Sequence, residues 1–159
     1  MKHPRGWKVL LVSGLFACLG LVALYPLAAH AQGLALSPTY LITNVDSTGA
    51  FASRSTVTFN ADRSLTVVDS GQGGPTYYFS SQQGTWGVSK TGDVIGRTVD
   101  FDFAPDNDVA RLDYTFKLGT DGTISGTTSI FYFPQTANPL GSGGTFGGTF
   151  TFTGYQIKP

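Results

Sequence analysis

Alternation of apolar and polar residues dominates the chain from residue 39 onward. In residues 109–118 every second position is apolar, namely Ala110, Leu112, Tyr114, Phe116 and Leu118. Successive side chains of a strand point to opposite faces, so this pattern predicts a β-strand with one face on a core. The same period of two predicts strands at residues 39–45, 51–60, 64–69, 77–80, 85–89, 98–103, 123–133 and 145–155.

Short turn sequences separate these predicted strands. Residues 120–123 contain an Asp-Gly pair typical of tight hairpins, because glycine accepts a positive φ. Short connections favour antiparallel pairing of consecutive strands. The sequence therefore predicts an all-β fold: an antiparallel up-and-down meander of about eight strands closing into a single β-barrel, with a sandwich as the alternative. Two Gly-rich loops, residues 70–76 and 134–144, are expected to flank the barrel mouth.

Residues 1–31 have the pattern of a secretory signal peptide. Lys2, Arg5 and Lys8 precede an apolar run, and Ala29-His30-Ala31 fits a small-x-small cleavage site. The run of about 16 residues is short for a membrane span of about 20. We therefore expect cleavage near Ala31, a secreted or periplasmic domain over residues 32–159, and no stable membrane insertion afterwards. An uncleaved anchor and a lipoprotein modified at Cys18 are the alternatives.

Composition narrows the chemistry open to residues 32–159. They hold seven basic and ten acidic side chains, every acid is Asp, and His, Cys and Glu are absent. Without His or Cys there is no Ser–His–Asp triad, thiol nucleophile or imidazole metal site. Charged residues make up only 13% of the chain, and no basic surplus supports nucleic-acid binding. No cofactor is predicted, and any catalysis would depend on Asp, Tyr, Lys, Arg, Ser or Thr.

Four short stretches resemble exported bacterial proteins of calycin-like barrel architecture. They are FNADRSLTV (59–67), QGTW (83–86), LDYTF (112–116) and GTISG (122–126). That group is similar in shape to the lipocalin and allene oxide cyclase barrels, and the segment Gly84–Trp86 resembles the Gly-x-Trp of lipocalins and avidins. The resemblance implies a barrel fold and brings no assigned activity with it.

Small residues at predicted inward positions raise the question of a cavity. Ser53 and Ser55 lie in line with Val57 and Phe59, and an eight-stranded barrel is wide enough for one small ligand. The alternative is that large neighbours fill the lumen, above all Phe101, Phe116, Phe150 and Phe152.

Four larger residues complete the candidate ligand site. Tyr114 and Tyr132 are predicted to point inward, where each hydroxyl would orient a ligand or serve in ordinary core packing. Arg97 falls on the inward face when counted back from Val99, although its head can also reach water at the rim. Trp86 is interpreted as a ligand platform or, more simply, as a plug of the barrel.

A run of aspartates follows the predicted strand at residues 98–103. Asp102, Asp106 and Asp108 would supply oxygen ligands for calcium, but their spacing lacks the Asp-x-Asp-x-Asp-Gly pattern of an EF-hand loop. Asp100 and Asp102 are predicted to face outward, which favours solvation over acid–base chemistry. No metal site and no catalytic residue are therefore assigned.

Outward phenylalanines suggest one further surface. Phe131 and Phe133 lie opposite Ile130 and Tyr132, so they would form a homo-oligomer contact, touch a membrane or lie under the loop at residues 134–144.

For function, the sequence favours an exported barrel that binds a small, mostly apolar ligand in its lumen. The alternatives are an isomerase or cyclase acting on a confined molecule, and a structural or interaction protein with a filled core.

Overall fold

A computed structural model describes residues 37–73 and 78–159. The elements of secondary structure in these ranges are all β-strands. In chain order they are β1 (Thr39–Val45), β2 (Phe51–Phe59), β3 (Ser64–Asp69), β4 (Gln82–Val88), β5 (Val94–Phe101), β6 (Asp108–Leu118), β7 (Thr123–Pro134) and β8 (Thr145–Gln156). The predicted signal peptide, residues 1–31, lies outside the described residues. Within the described ranges no helix is long and apolar enough to cross a membrane.

Each strand pairs antiparallel with the next, and β8 pairs with β1 to close the barrel. Among the described strands closure leaves no unpaired sheet edge, because each of the eight has two hydrogen-bonded neighbours. The predicted all-β meander of eight strands in a single barrel is therefore confirmed. One predicted strand is wrong: of its described residues, 78–80, only Phe79 makes an isolated bridge, to Asp102.

The two ends of the barrel differ in their connections. Tight turns at residues 60–63, 89–93 and 119–122 form one end, which we call the base. Gly122 adopts a φ of 87°, as the Asp-Gly turn requires, and Asp121 Oδ1 accepts a hydrogen bond from the Thr123 backbone N–H. The connections at residues 46–50, 102–107 and 135–144, with the described residues 70–73 and 78–81, form the other end, which we call the mouth.

Aromatic rings fill the half of the barrel nearest the base. The Phe59 ring packs edge-on against Tyr40, Trp86 and Phe116, with ring centroids 5.9, 5.8 and 4.9 Å apart. Trp86 is buried, and its indole N–H donates to the backbone oxygen of Asn60 at 3.0 Å. The plug interpretation of Trp86 fits this position.

Gly126 shows how the small inward residues are used in this half of the barrel. A Cβ at Gly126 would lie 1.9 Å from the backbone oxygen of Thr115 and 2.6 Å from the Phe152 ring. The room that Gly126 leaves is therefore occupied by the Phe152 ring and the neighbouring strand, not by a cavity.

Candidate functional site

Polar side chains occupy many of the inward positions in the half of the barrel nearest the mouth. They carry hydroxyl, amide and carboxylate groups, and most are buried. Buried Ala110 and Leu112 of β6, which lie opposite Asp100 and Thr98, are apolar inward residues at the same level. Buried polar groups require partners, so this half is held by side-chain hydrogen bonds. We call this set the upper cluster: Asn44, Ser53, Ser55, Asp69, Gln82, Thr98, Asp100, Tyr114 and Thr128.

Asp69 organises one side of the upper cluster. Its Oδ2 accepts hydrogen bonds from the Ser53 hydroxyl at 2.7 Å, the Ser55 hydroxyl at 2.6 Å and the Asn44 amide at 3.3 Å. Its Oδ1 accepts from the backbone N–H of Gly71 at 2.7 Å. These four hydrogen bonds fix the orientation of the Asp69 carboxylate, whose two oxygens offer about four acceptor sites.

Gln82, on the strand next to that of Asp69, organises the residues from β5 and β6 through its amide oxygen. The Tyr114 hydroxyl donates to Gln82 Oε1 at 2.6 Å, and the Thr98 hydroxyl donates to the same oxygen at 3.0 Å. Burial raises the pKa of Tyr114, and the charges of Asp100 and Asp69 raise it further. Tyr114 therefore stays protonated at neutral pH, which makes it a fixed hydrogen-bond donor in this cluster.

Asp100 lies among these residues with incomplete hydrogen bonding. It is only 4% exposed, and its Oδ1 has no hydrogen-bond partner among the described residues. Burial is the main cause that raises the pKa of Asp100 to about 7, and the nearby charges of Asp102 and Asp69 add to it. Near neutral pH this carboxyl can therefore be protonated or ionised.

Charge is distributed unevenly between the two ends of the barrel. Six of the ten aspartates lie at or near the mouth, namely Asp46, Asp69, Asp100, Asp102, Asp106 and Asp108. The lysines of the described residues, Lys90, Lys117 and Lys158, all lie toward the base. This arrangement makes the mouth negative relative to the base, which favours the approach of cations.

The structure brings together three of the predicted site residues and separates the others from them. Tyr114, Ser53 and Ser55 belong to the upper cluster, as their predicted inward direction requires. Trp86 lies in the aromatic half near the base. Tyr132 is half-buried at the mouth end of β7, in a groove of 530 Å³ beside the loop at residues 135–144.

The position of Arg97 shows that the predicted inward face of β5 is wrong. Its side chain is 47% exposed on the outside of the barrel, where the guanidinium pairs with Asp113 of the neighbouring strand. The inward side chains of β5 are those of Val94, Thr98 and Asp100, so the prediction that Asp100 faces outward is also wrong. The sequence pattern misled because Val99 and Phe101, although apolar, lie on the outer face.

Phe133 and Arg111 form a second buried group, on the outside of the sheet. The Arg111 guanidinium lies 4.7 Å from the Phe131 ring centroid and 5.1 Å from that of Phe133. Its Nη1 donates to the backbone oxygens of Pro139 and Gly141 at 2.9 Å each. Phe133 is buried and its ring lies against Gly144, so the loop at residues 135–144 covers it, as one of the sequence interpretations expected. Phe131 is only half-buried and packs against Phe146, and the homo-oligomer contact stays a prediction.

A second groove opens beside Asp69 at the mouth. It has a volume of 380 Å³ and is lined by Val68, Asp69, Gln72, Gly73, Tyr78, Phe79 and Phe103. Most of its wall is apolar, and Asp69 is the charged residue in it. Asp69 is the residue that the groove shares with the upper cluster.

The upper cluster has no arrangement typical of a metal centre. Within residues 37–73 and 78–159, no three His, Cys, Asp or Glu side chains are grouped so that they could hold a metal ion. Comparison with family models, curated proteins and solved structures finds no match to this chain. The fold and the upper cluster define the class as a closed eight-stranded antiparallel barrel with a polar, acidic interior below its mouth.

Proposed function

We propose that this protein is an exported barrel that binds a small, mostly apolar molecule at its mouth, with the upper cluster holding the polar group of that molecule. The observation that carries the proposal is the unpartnered Oδ1 of Asp100 at 4% exposure. A buried polar atom without a hydrogen bond costs about 1–3 kcal/mol, and more when it is charged. A ligand donor at this oxygen would offset that cost, so the cluster is better suited to an occupied state than to an empty one.

The groove beside Asp69 supports the apolar part of the ligand. Small-molecule sites are mainly apolar with a few placed polar groups, and this groove has that composition. Tyr78 and Phe103 line it and are themselves more than half exposed. A ligand body resting on these rings would remove apolar surface from water, while its polar end points toward Asp69 and Asp100.

Export is supported by the sequence of residues 1–31, which has the charged, apolar and small-residue regions of a signal peptide. An exported binding protein would work outside the cytoplasm as a carrier or sensor of its ligand.

A second candidate function is proton transfer on a bound molecule. A carboxyl group with a pKa of about 7 exchanges protons readily near neutral pH, which is the range that general acid–base catalysis needs. Asp100 would then be the acid or base of an isomerase or cyclase. Tyr114 is a poor proton donor for this purpose, because its pKa is raised and its hydroxyl is already bonded to Gln82.

Native mass spectrometry of the protein purified from its exporting host tests the proposed binding function. We expect a stoichiometric adduct of a few hundred daltons that solvent extraction removes and that Asp100→Asn weakens. Exposed Asp93 at the base offers the matched control, and Asp93→Asn should retain the adduct. A bare mass in every preparation, at concentrations where weak complexes survive, would contradict the proposal.

A further inference from the structure

The acids of the upper cluster lie in an environment without neutralising side chains. Ion pairs among the described residues join Asp113 to Arg97 and to Arg111, on the outside of the barrel. Arg54, the other arginine near the mouth, is exposed and alternates with the inward Ser53 and Ser55, so it points away from the lumen. Asp69 and Asp100 therefore have no cationic partner within the described part of the chain.

Asp69 and Asp100 differ in how many hydrogen bonds the protein donates to their carboxylate oxygens. The carboxylate of Asp69 accepts four hydrogen bonds from side chains and backbone, so both of its oxygens have hydrogen-bond partners within the protein. Asp100 lacks a partner at Oδ1 and is more than nine-tenths buried. A buried carboxylate is stable only when it is paired with a cation or hydrogen-bonded throughout. Asp100 is thus the group whose ionised form requires something from outside the chain.

We propose that the ligand is an organic cation, a protonated amine on an apolar body, whose ammonium group pairs with Asp100 below the mouth. This inference rests on the proposed binding function and names its ligand class. An ammonium donates hydrogen bonds and carries the charge that Asp100 lacks, and Gln82 and Tyr114 are already bonded to each other. The aromatic residues Tyr78, Phe79 and Phe103 suit the apolar body of such a ligand, which would cover their exposed surface.

Binding of this kind depends on pH in a defined direction. The charged or titratable groups facing Asp100 are Asp102, Asp69 and Tyr114, and none of them is a cation. Because a carboxyl with a pKa of about 7 is mostly protonated below that value, an ammonium loses its counter-charge as the pH falls. Affinity for an amine should therefore drop by up to about tenfold for each pH unit below 7, until the pH falls below the pKa of Asp100 in the complex.

Isothermal titration calorimetry with three probes of equal chain length tests the inference: octylamine, octanol and octanoate, all at pH 8. Octylamine should bind at least about tenfold more tightly than octanol, and octanoate should bind most weakly. Asp100→Asn should remove the preference for the amine, whereas Asp93→Asn at the base should preserve it. A repeat at pH 5 should weaken octylamine and leave octanol unchanged.

The outcomes separate this inference from the proposed function. Equal affinity for octylamine and octanol, unchanged by Asp100→Asn, would overturn the amine assignment and leave a general apolar binder. Tighter binding of octanoate would overturn it as well. If none of the three probes binds while native mass spectrometry still shows an adduct, the amine assignment fails and the binding function stands.

Discussion

Replacing Asp100 by Asn should make the barrel more stable at pH 8. The pKa of Asp100 is raised from 3.8 to about 7 in the folded state, so between these values the folded protein binds more protons than the unfolded chain. Stability therefore falls as the pH rises through that window. At 1.36 kcal/mol per pKa unit, ionised Asp100 costs about 4 kcal/mol above pH 7, of which about 2–3 kcal/mol is lost between pH 5 and pH 8.

Urea unfolding followed by tryptophan fluorescence at pH 5 and pH 8 measures this difference. Few other groups titrate in this interval, because residues 37–159 contain no His, Cys or Glu. The wild type should be about 2–3 kcal/mol more stable at pH 5 than at pH 8, and Asp100→Asn should remove most of that difference. Half-buried Asp102, whose pKa is also raised, acts in the same direction and accounts for any remaining slope.

Asp93→Asn is the control for this experiment, since Asp93 is exposed in a base turn. It should retain the pH dependence of the wild type. The reasoning is refuted if wild-type stability is the same at pH 5 and pH 8, or if Asp100→Asn keeps the full wild-type slope.

Two further predictions concern packing and the mouth loop. Gly126→Ala should destabilise the barrel by about 2 kcal/mol or more in urea unfolding, because its Cβ would meet the Thr115 oxygen and the Phe152 ring. Gly87→Ala, where no atom lies within 4 Å, should change stability by less than about 0.5 kcal/mol, and equal losses would contradict the packing argument. Arg111→Ala should cost about 2–4 kcal/mol and make the loop at residues 135–144 more sensitive to limited proteolysis, because the guanidinium holds two of its carbonyl groups. Arg97→Leu, which breaks an exposed pair, should cost at most about 1 kcal/mol and leave cleavage of the loop unchanged; the same protection pattern in both variants would refute the role assigned to Arg111.

The fold could be predicted from the sequence because two independent signals agree along most of the chain. In β6, inward Leu112, Tyr114 and Phe116 alternate with polar residues, so only one phase of the strand buries its apolar side chains. The turn at Asp121-Gly122 marks where that strand ends and β7 begins. Periodicity and turn chemistry together therefore define consecutive hairpins, and hairpins alone lead to a meander.

The direction of β5 could not be predicted, because apolar residues occur on both of its faces. Val99 and Phe101 suggest one phase, and Val94 with the small Gly96 suggests the other. The polar interior near the mouth determines which face of β5 points inward, because the Thr98 hydroxyl donates a hydrogen bond to Gln82 there. That interior is assembled from several strands, and the alternation within β5 alone does not reveal it.

A cross-strand charge pair offered a signal for the correct phase. Arg97 and Asp113 lie directly opposite each other in the β5–β6 register, and the alternation of residues 109–118 places Asp113 on the outer face. Opposite charges at equal distances from a turn favour each other on the solvent face of a hairpin. Reading this pair together with the alternation would have placed Arg97 outside and Asp100 inside.

The residues of the candidate site also fall into two groups: those whose position follows from the alternation of their own strand, and those whose position depends on the assembled barrel. Tyr114, Ser53 and Ser55 could be placed in the lumen because their own strands have a clear phase. Asp69 and Gln82 lie at strand ends, where a polar residue ordinarily indicates the start of a loop. Their burial depends on the closure of the barrel around them, so they could be found only in the three-dimensional structure.

Carbon-13 NMR of the aspartate side-chain carboxyl groups, titrated with and without octylamine, tests the central claim most directly. The signal assigned through Asp100→Asn should titrate with a midpoint near pH 7 in the free protein. With saturating octylamine the midpoint should fall by at least about one unit, because a paired ammonium favours the ionised carboxylate. A midpoint near 4 that octylamine does not move would show a solvated, unoccupied side chain and would contradict the account.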